Sequence, residues 1–133
     1  MAKQLLALDV GERRIGVALA DSAIRIAVAY ETINVDGDEL KRIAELVIDE
    51  RIDTVVVGYP RNQSGEATKQ TEYVEKFAEQ LVDIAPKIVF QDESLTSVRA
   101  EELLKRQKRP YEKGDIDALA ASLILQDYLE MMG

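Results

Sequence analysis

Acidic side chains stand at the ends of two apolar segments and at the start of a predicted C-terminal helix. Asp9 ends the apolar segment at residues 4–9, and Asp92 and Glu93 follow the one at 87–91. Ligands of open α/β sheets collect at the carboxyl ends of the strands. We therefore expect Asp9, Glu93 and Asp117 to form one acidic cluster. Asp92 and Asp115 are further candidates at the same edge.

Each of these acids also has an ordinary structural interpretation. An Asp at a strand end is often a turn former, and Asp115 could simply cap the last helix. Asp92 and Glu93 could simply be solvent-exposed residues at the end of a strand. Asp9 is the strongest candidate, because it ends a segment that should be buried, and a buried Asp needs a partner or a metal ion.

The composition narrows the chemistry open to such a cluster. The 133 residues include no His, Cys or Trp, and 17 Lys+Arg against 25 Asp+Glu leave a net charge of −8. Thiolate, imidazole and disulfide chemistry are excluded, and a structural zinc site is very unfavourable. Clustered carboxylates raise one another's pKa unless a cation neutralises them. With only oxygen ligands available, the predicted cation is Mg²⁺ or Mn²⁺.

Arginines in a glycine-bracketed segment are candidates for phosphate contact. Arg13 and Arg14 lie in GERRIG at residues 11–16. This segment is not a P-loop, because Val17 and Ala18 stand where Lys and Ser or Thr are required. Two glycines at this spacing are usually hairpin residues. The functional alternative is that Arg13 or Arg14 projects towards a phosphate from beside Asp9.

Two further polar segments could likewise have an ordinary structural role or contact a phosphate. Arg61 and Asn62 follow the strand predicted at 54–58. Four of the five residues at 105–109 are basic, among them Lys108 and Arg109. Basic residues at the end of a helix usually complement its dipole. The alternative is a loop that contacts the phosphate backbone of a nucleic acid.

The periodicity of apolar residues predicts the elements that must position these side chains. Strands are expected at residues 4–9, 17–20, 26–30, 54–58 and 87–91, the fourth stopping at Tyr59 and Pro60. Helices are expected around the apolar stripes at 40–48 and 74–81, from a cap at Thr96 or Ser97 to 104, and from a cap at Asp115 to about 131. A leading three-stranded antiparallel meander followed by parallel crossovers predicts an α/β fold, a mixed five-stranded sheet with helices on both faces.

Length and hydropathy predict how the chain is organised. The 133 residues suit one domain, 1–133, and no apolar run approaches the ~20 residues of a membrane helix. We find no signal-peptide pattern and expect a cytoplasmic protein that does not bind membranes. Net acidity argues against coating nucleic acid by bulk charge, but a local basic surface would suffice for a nucleic-acid enzyme.

Four blocks of sequence resemble, in order and spacing, the YqgF (RuvX-like) family of pre-16S rRNA nucleases, also described as Holliday-junction resolvases. The blocks are LDVGERRIGVA at 8–18, VVGYP at 56–60, DESLTS at 92–97, and DALAA at 117–121 running into ILQDYL at 124–129. Together they span nearly the whole chain. One departure is Ser94, where the family usually has Arg or a similar residue.

The resemblance implies an RNase H-like fold with catalytic, metal-binding carboxylates at Asp9, Glu93 and Asp117. It implies two-metal-ion hydrolysis of a phosphodiester, with Arg14, Arg61 or Lys113 offsetting the charge that develops on the phosphate. In the sheet order of that fold another strand separates Asp9 from the strand of Glu93. Glu93 must therefore reach in from an outer strand.

The sequence leaves the substrate open. Processing of the 5′ end of pre-16S rRNA is the first expectation, and resolution of DNA junctions is the alternative. A resolvase should act as a dimer, so a strict monomer would favour RNA, and we expect a monomer or a weak homodimer. A non-catalytic nucleic-acid-binding module is the third interpretation. A sugar-kinase or actin-like ATPase is rejected, because that architecture requires two such domains.

Overall fold

The described residues form five strands and four helices. The computed structural model describes residues 2–60, 68–93, 96–107 and 110–132. The strands are β1 (Gln4–Val10), β2 (Arg14–Asp21), β3 (Val28–Asn34), β4 (Ile52–Pro60) and β5 (Lys87–Glu93). The helices are α1 (Glu39–Asp49), α2 (Lys69–Gln80), α3 (Thr96–Arg106) and α4 (Lys113–Met131).

The strands form one mixed sheet in the order β3-β2-β1-β4-β5. β1, β2 and β3 pair antiparallel, whereas β4 is parallel to both β1 and β5. The meander and the parallel strands predicted from the sequence are confirmed. β1 lies at the centre of the sheet, so Asp9 has a neighbouring strand on each side.

Helices cover both faces of this sheet because side chains alternate along the strands. Leu6, Leu8 and Val10 of β1 pack with apolar residues of α1 and α2. Leu5 and Ala7, on the opposite face, pack with α4. The face towards α4 is lined by small side chains, as Ala18 and Ala20 of β2 also belong to it. The backbone of α4 can therefore approach the sheet closely.

Several boundaries differ from those predicted. β3 lies at 28–34, not at 26–30, and β4 continues through Pro60. The proline is tolerated because β4 extends there beyond Val57, its last residue paired with β1. α3 already contains Thr96, one of its predicted caps.

The start of α4 also differs from the prediction. The helix begins at Lys113 after an N-cap at Glu112. Asp115 lies inside the first turn, where its carboxylate accepts a hydrogen bond of 2.9 Å from the Glu112 amide. Asp115 therefore stabilises the helix start from the third helical position and is not the cap itself. Among the helices in the described ranges, none is long and apolar enough to cross a membrane.

A glycine sets the distance between α4 and the sheet. Gly16 of β2 is paired with Asp9 of β1. A Cβ atom at Gly16 would lie 1.8 Å from the carbonyl oxygen of Asp117 and 2.9 Å from the amide nitrogen of Ala118. The backbone of α4 thus rests directly on the backbone of β2, beside Asp9.

We expect Gly16→Ala to force α4 away from β2, because the added methyl group would overlap backbone atoms. The free energy of unfolding should fall by at least about 3 kcal/mol, the upper end of the usual cost of overpacking, measured by chemical denaturation. Gly114→Ala is the matched control: its methyl group would meet Thr32 at 3.6 Å, and alanine is favoured over glycine in helices. Equal losses in both variants would contradict this account.

Candidate active site

Asp9 is the centre of the candidate site. It is the penultimate residue of β1 and lies partly buried on the face of the sheet that packs against α4. Its pKa is raised well above the usual value, first because burial desolvates the carboxylate and then because Glu93 and Asp117 repel its charge. The cluster of Asp9, Glu93 and Asp117 predicted from the sequence therefore comes together in the structure.

Glu93 reaches Asp9 across an intervening strand. β4 separates β1 from β5, and Gly58 of β4 follows the residue paired with Leu8, so it lies beside Asp9. A Cβ atom at Gly58 would be 3.4 Å from Oε2 of Glu93 and 2.6 Å from Cδ1 of Ile124. The absence of a side chain at Gly58 leaves the space that both Glu93 and α4 use.

Asp117 comes from the second turn of α4 and carries a basic partner. Nε of Arg14, the first residue of β2, donates a hydrogen bond of 2.6 Å to Oδ2 of Asp117. Both side chains are partly buried, and 103 positions of sequence separate them. This ion pair places a positive charge against the acidic cluster.

The donor atoms of the cluster suit a hard divalent cation. Asp9, Glu93 and Asp117 offer carboxylate oxygens only, which Mg²⁺ and Mn²⁺ prefer. A cation would also relieve the repulsion that raises the pKa of Asp9. Within the described ranges, no three acidic side chains form a ready-made ligand group for a metal ion.

The two further acids do not join this cluster. Asp92 alternates with Glu93 along β5 and lines a cavity with Tyr59, Glu75 and Phe90 on the opposite face of the sheet. Asp115 precedes Asp117 by two residues, which is about 200° around a helix, and it is bonded to the amide of Glu112. Of the five acids considered, the structure therefore brings together Asp9, Glu93 and Asp117.

The basic candidates are distributed unevenly around the cluster. Arg14 contacts it directly, whereas the side chain of Arg13 is exposed and its carbonyl oxygen accepts a hydrogen bond from Val35. Lys113, the first residue of α4, is exposed. Lying outside the described residues are Arg61, Asn62, Lys108 and Arg109.

Sequence reasoning missed two features of the site. It treated Gly16 as a hairpin residue and gave Gly58 no role, although a glycine inside a strand often marks the close approach of another group. That signal was available at both positions. The pairing of Arg14 with Asp117 had no such signal, because only the packing of α4 on β2 brings the two residues together.

Comparison with protein families identifies one that covers almost the whole chain. The model of the RuvX family, described as Holliday junction resolvase, matches residues 3–131.

Curated relatives of similar length agree with this match. A protein of Chloroflexus aurantiacus is 45% identical over 95% of this chain and 86% of its own length. One of Carboxydothermus hydrogenoformans is 43% identical over 95% of both chains. One of Bacillus licheniformis is 40% identical over 97% of this chain and 98% of its own. All three carry the name "Putative pre-16S rRNA nuclease".

Solved structures of resolvases share the fold. Thermus thermophilus RuvC in complex with a Holliday junction substrate matches with a TM-score of 0.61 at 15% identity, covering 98% of this chain and 96% of that one. Fowlpox virus resolvase in complex with Holliday junction DNA matches with a TM-score of 0.60 at 14% identity, covering 97% and 98%. The RNase H-like fold is thereby confirmed. Given a family match over residues 3–131 and relatives at least 40% identical along nearly all of its length, the chain belongs to the RuvX family.

Proposed function

We propose that this chain is a metal-dependent nuclease that hydrolyses phosphodiester bonds and processes the 5′ end of pre-16S rRNA during ribosome biogenesis. The observation that carries the proposal is the convergence of Glu93 and Asp117 on Asp9, through the gaps left by Gly58 and Gly16. The names of the curated relatives support the choice of substrate. Such a substrate fits the cytoplasmic location expected from the sequence.

Asp9, Glu93 and Asp117 would hold the cofactor, which we propose to be two Mg²⁺ or Mn²⁺ ions. Bound ions would supply the electrophilic catalysis of an in-line displacement at phosphorus. The chain contributes the ligands and their positions: Asp9 from the rigid centre of the sheet, Glu93 from an outer strand, and Asp117 from a helix resting on β2. No histidine is required in this chemistry.

Binding of the nucleic acid would depend on local basic side chains, since the net charge of the chain is −8. Arg14 and Lys113 stand at the ends of elements that border the cluster, and both could donate to a phosphate oxygen. We propose the same role for Arg13, and for the basic and amide residues outside the described ranges, which are Arg61, Asn62, Lys108 and Arg109.

A DNA junction is the second candidate substrate. The family description names a Holliday junction resolvase, and the matched RuvC and poxvirus structures are complexes with junctions. Both activities would use the same carboxylates and ions. Resolution requires two sites facing symmetric strands, so it predicts a dimer, whereas RNA processing needs only a monomer or a weak homodimer.

We expect Asp9→Asn, Glu93→Gln and Asp117→Asn each to reduce cleavage at least about 100-fold, as removal of one group that stabilises the transition state commonly does. An rRNA precursor and a four-way junction should be incubated side by side in Mg²⁺ and in Mn²⁺. Circular dichroism should show that each variant is folded. Asp83→Asn, which removes the charge of an exposed carboxylate elsewhere, is the control.

Three outcomes of this experiment separate the candidate functions. Cleavage of the precursor alone supports RNA processing, and cleavage of the junction alone by a dimer supports the resolvase. Binding of either nucleic acid without hydrolysis, in both Mg²⁺ and Mn²⁺, would support the non-catalytic nucleic-acid-binding module. Undiminished cleavage by Asp9→Asn would contradict the role given to that residue.

Asp9→Asn is also expected to stabilise the metal-free protein at neutral pH. Because the pKa of Asp9 is raised on folding, the folded state holds the proton more tightly than the unfolded state. Stability therefore falls as pH rises from the ordinary value of 3.8 through the raised one. The uncharged Asn avoids this loss, so the melting temperature in EDTA should rise by about 4 °C for each kcal/mol recovered.

Thermal unfolding in EDTA and with divalent ions measures the destabilisation by the Asp9 charge and its relief by a bound cation. Added Mg²⁺ should raise the melting temperature of the wild-type protein and have little effect on Asp9→Asn. In EDTA, a melting temperature of Asp83→Asn raised as much as that of Asp9→Asn would argue against this electrostatic account. So would a metal-free wild-type stability that increases as pH rises above 3.8.

A further inference from the structure

The ion pair between Arg14 and Asp117 joins two parts of the fold at the acidic cluster. Arg14 begins β2 and Asp117 lies on α4, and the contact is 2.6 Å from Nε to Oδ2. The side chain of Arg14 is 31% exposed and that of Asp117 is 21% exposed. The pair is thus shielded from solvent more than the pairs Arg99–Asp127 and Lys105–Glu101, which are 3.3 Å long and more open.

One member of this pair also belongs to the proposed ligand set. The charge of Asp117 raises the pKa of Asp9, so the two carboxylates are close enough to repel each other. The guanidinium of Arg14 reduces the negative charge of the cluster by one unit. It stabilises the arrangement of carboxylates that the fold brings together.

We propose that Arg14 is an internal counter-ion, which holds Asp117 while no divalent cation is bound and releases it when one binds. This inference rests on the metal role proposed for the cluster. Mg²⁺ takes oxygen ligands at about 2.0–2.1 Å. A guanidinium already hydrogen-bonded to the same carboxylate would then lie within a few ångströms of a second cation, and the two would repel each other.

With Oδ2 of Asp117 bonded to Arg14, the carboxylate is oriented by the guanidinium. Departure of Arg14 frees that oxygen for a metal ion. The released guanidinium would then be available to a phosphate group at the same edge of the sheet.

Substitution of adjacent arginines provides a matched test. Arg14→Gln and Arg13→Gln remove the same charge from neighbouring positions, but the Arg13 side chain is exposed and no ion pair to Asp117 involves it. Mn²⁺ affinity should be measured by titration calorimetry with the full chain. We expect binding by Arg14→Gln to be about tenfold tighter than by the wild type, and binding by Arg13→Gln to change by no more than about twofold.

Stability without metal should change in the opposite direction. In EDTA, Arg14→Gln leaves the cluster without its counter-ion, so its melting temperature should fall below that of Arg13→Gln. Arg14→Lys keeps the charge but not the Nε donor, and should lie between wild type and Arg14→Gln in both measurements. A merely structural role for Arg14 predicts weaker metal binding together with the loss of stability.

Arginine side-chain NMR tests the release itself. The Nε–H signal of Arg14 should be protected in the metal-free protein and lose that protection when Mg²⁺ is added. Arg42, whose Nε donates to Glu31 at 2.9 Å outside the cluster, supplies an internal control that should not change. A protected Arg14 signal in the Mg²⁺-saturated protein would overturn the inference.

The titrations also separate this inference from the proposed function. If the wild type binds Mn²⁺ but Arg14→Gln binds no more tightly than Arg13→Gln, the counter-ion role is wrong and the metal site stands. If neither the wild type nor any variant binds Mn²⁺ or Mg²⁺, the metal role and the counter-ion role both fail.

Discussion

The lack of side chains on both sides of Asp9 is the constraint on which the rest of the site depends. Gly16 occupies the neighbouring position on one strand and Gly58 on the other. Through the first gap the backbone of α4 reaches the sheet, and through the second the carboxylate of Glu93 crosses an intervening strand. A methyl group at Gly16 would overlap backbone atoms of α4, and one at Gly58 would overlap Cδ1 of Ile124 and touch Oε2 of Glu93.

This arrangement has an electrostatic cost. Three carboxylates gather where burial also disfavours ionisation, and the pKa of Asp9 rises as a result. The chain offsets part of the cost with Arg14, which is bonded to Asp117. A ligand that relieves repulsion between side chains stabilises the folded state when it binds. In the proposed function, the same carboxylates would weaken the metal-free fold and favour binding of a cation.

Much of the fold and part of the site could be predicted from residue types and spacing. Short apolar runs predicted the meander and the buried strand around Val56, and helical spacing of apolar residues predicted the helix faces, because both patterns depend on local geometry and burial. Pro60 and the start of α4 at Lys113 were predicted less well. The extent of β4 depended on where its pairing with β1 ended. The start of α4 depended on the hydrogen bond from the Glu112 amide to the Asp115 carboxylate.

The sequence by itself determined the kind of chemistry. Without His or Cys, the proposed site at the strand ends has only oxygen ligands to offer, and these suit hard cations. Only the tertiary structure decided which acids meet: Asp92 lies on the opposite face of the sheet and Asp115 is held at its helix start. It also decided that Arg14 pairs with Asp117, 103 residues away. Spacing along the chain specifies local periodicity, whereas the approach of distant residues depends on how closely α4 and β2 can pack.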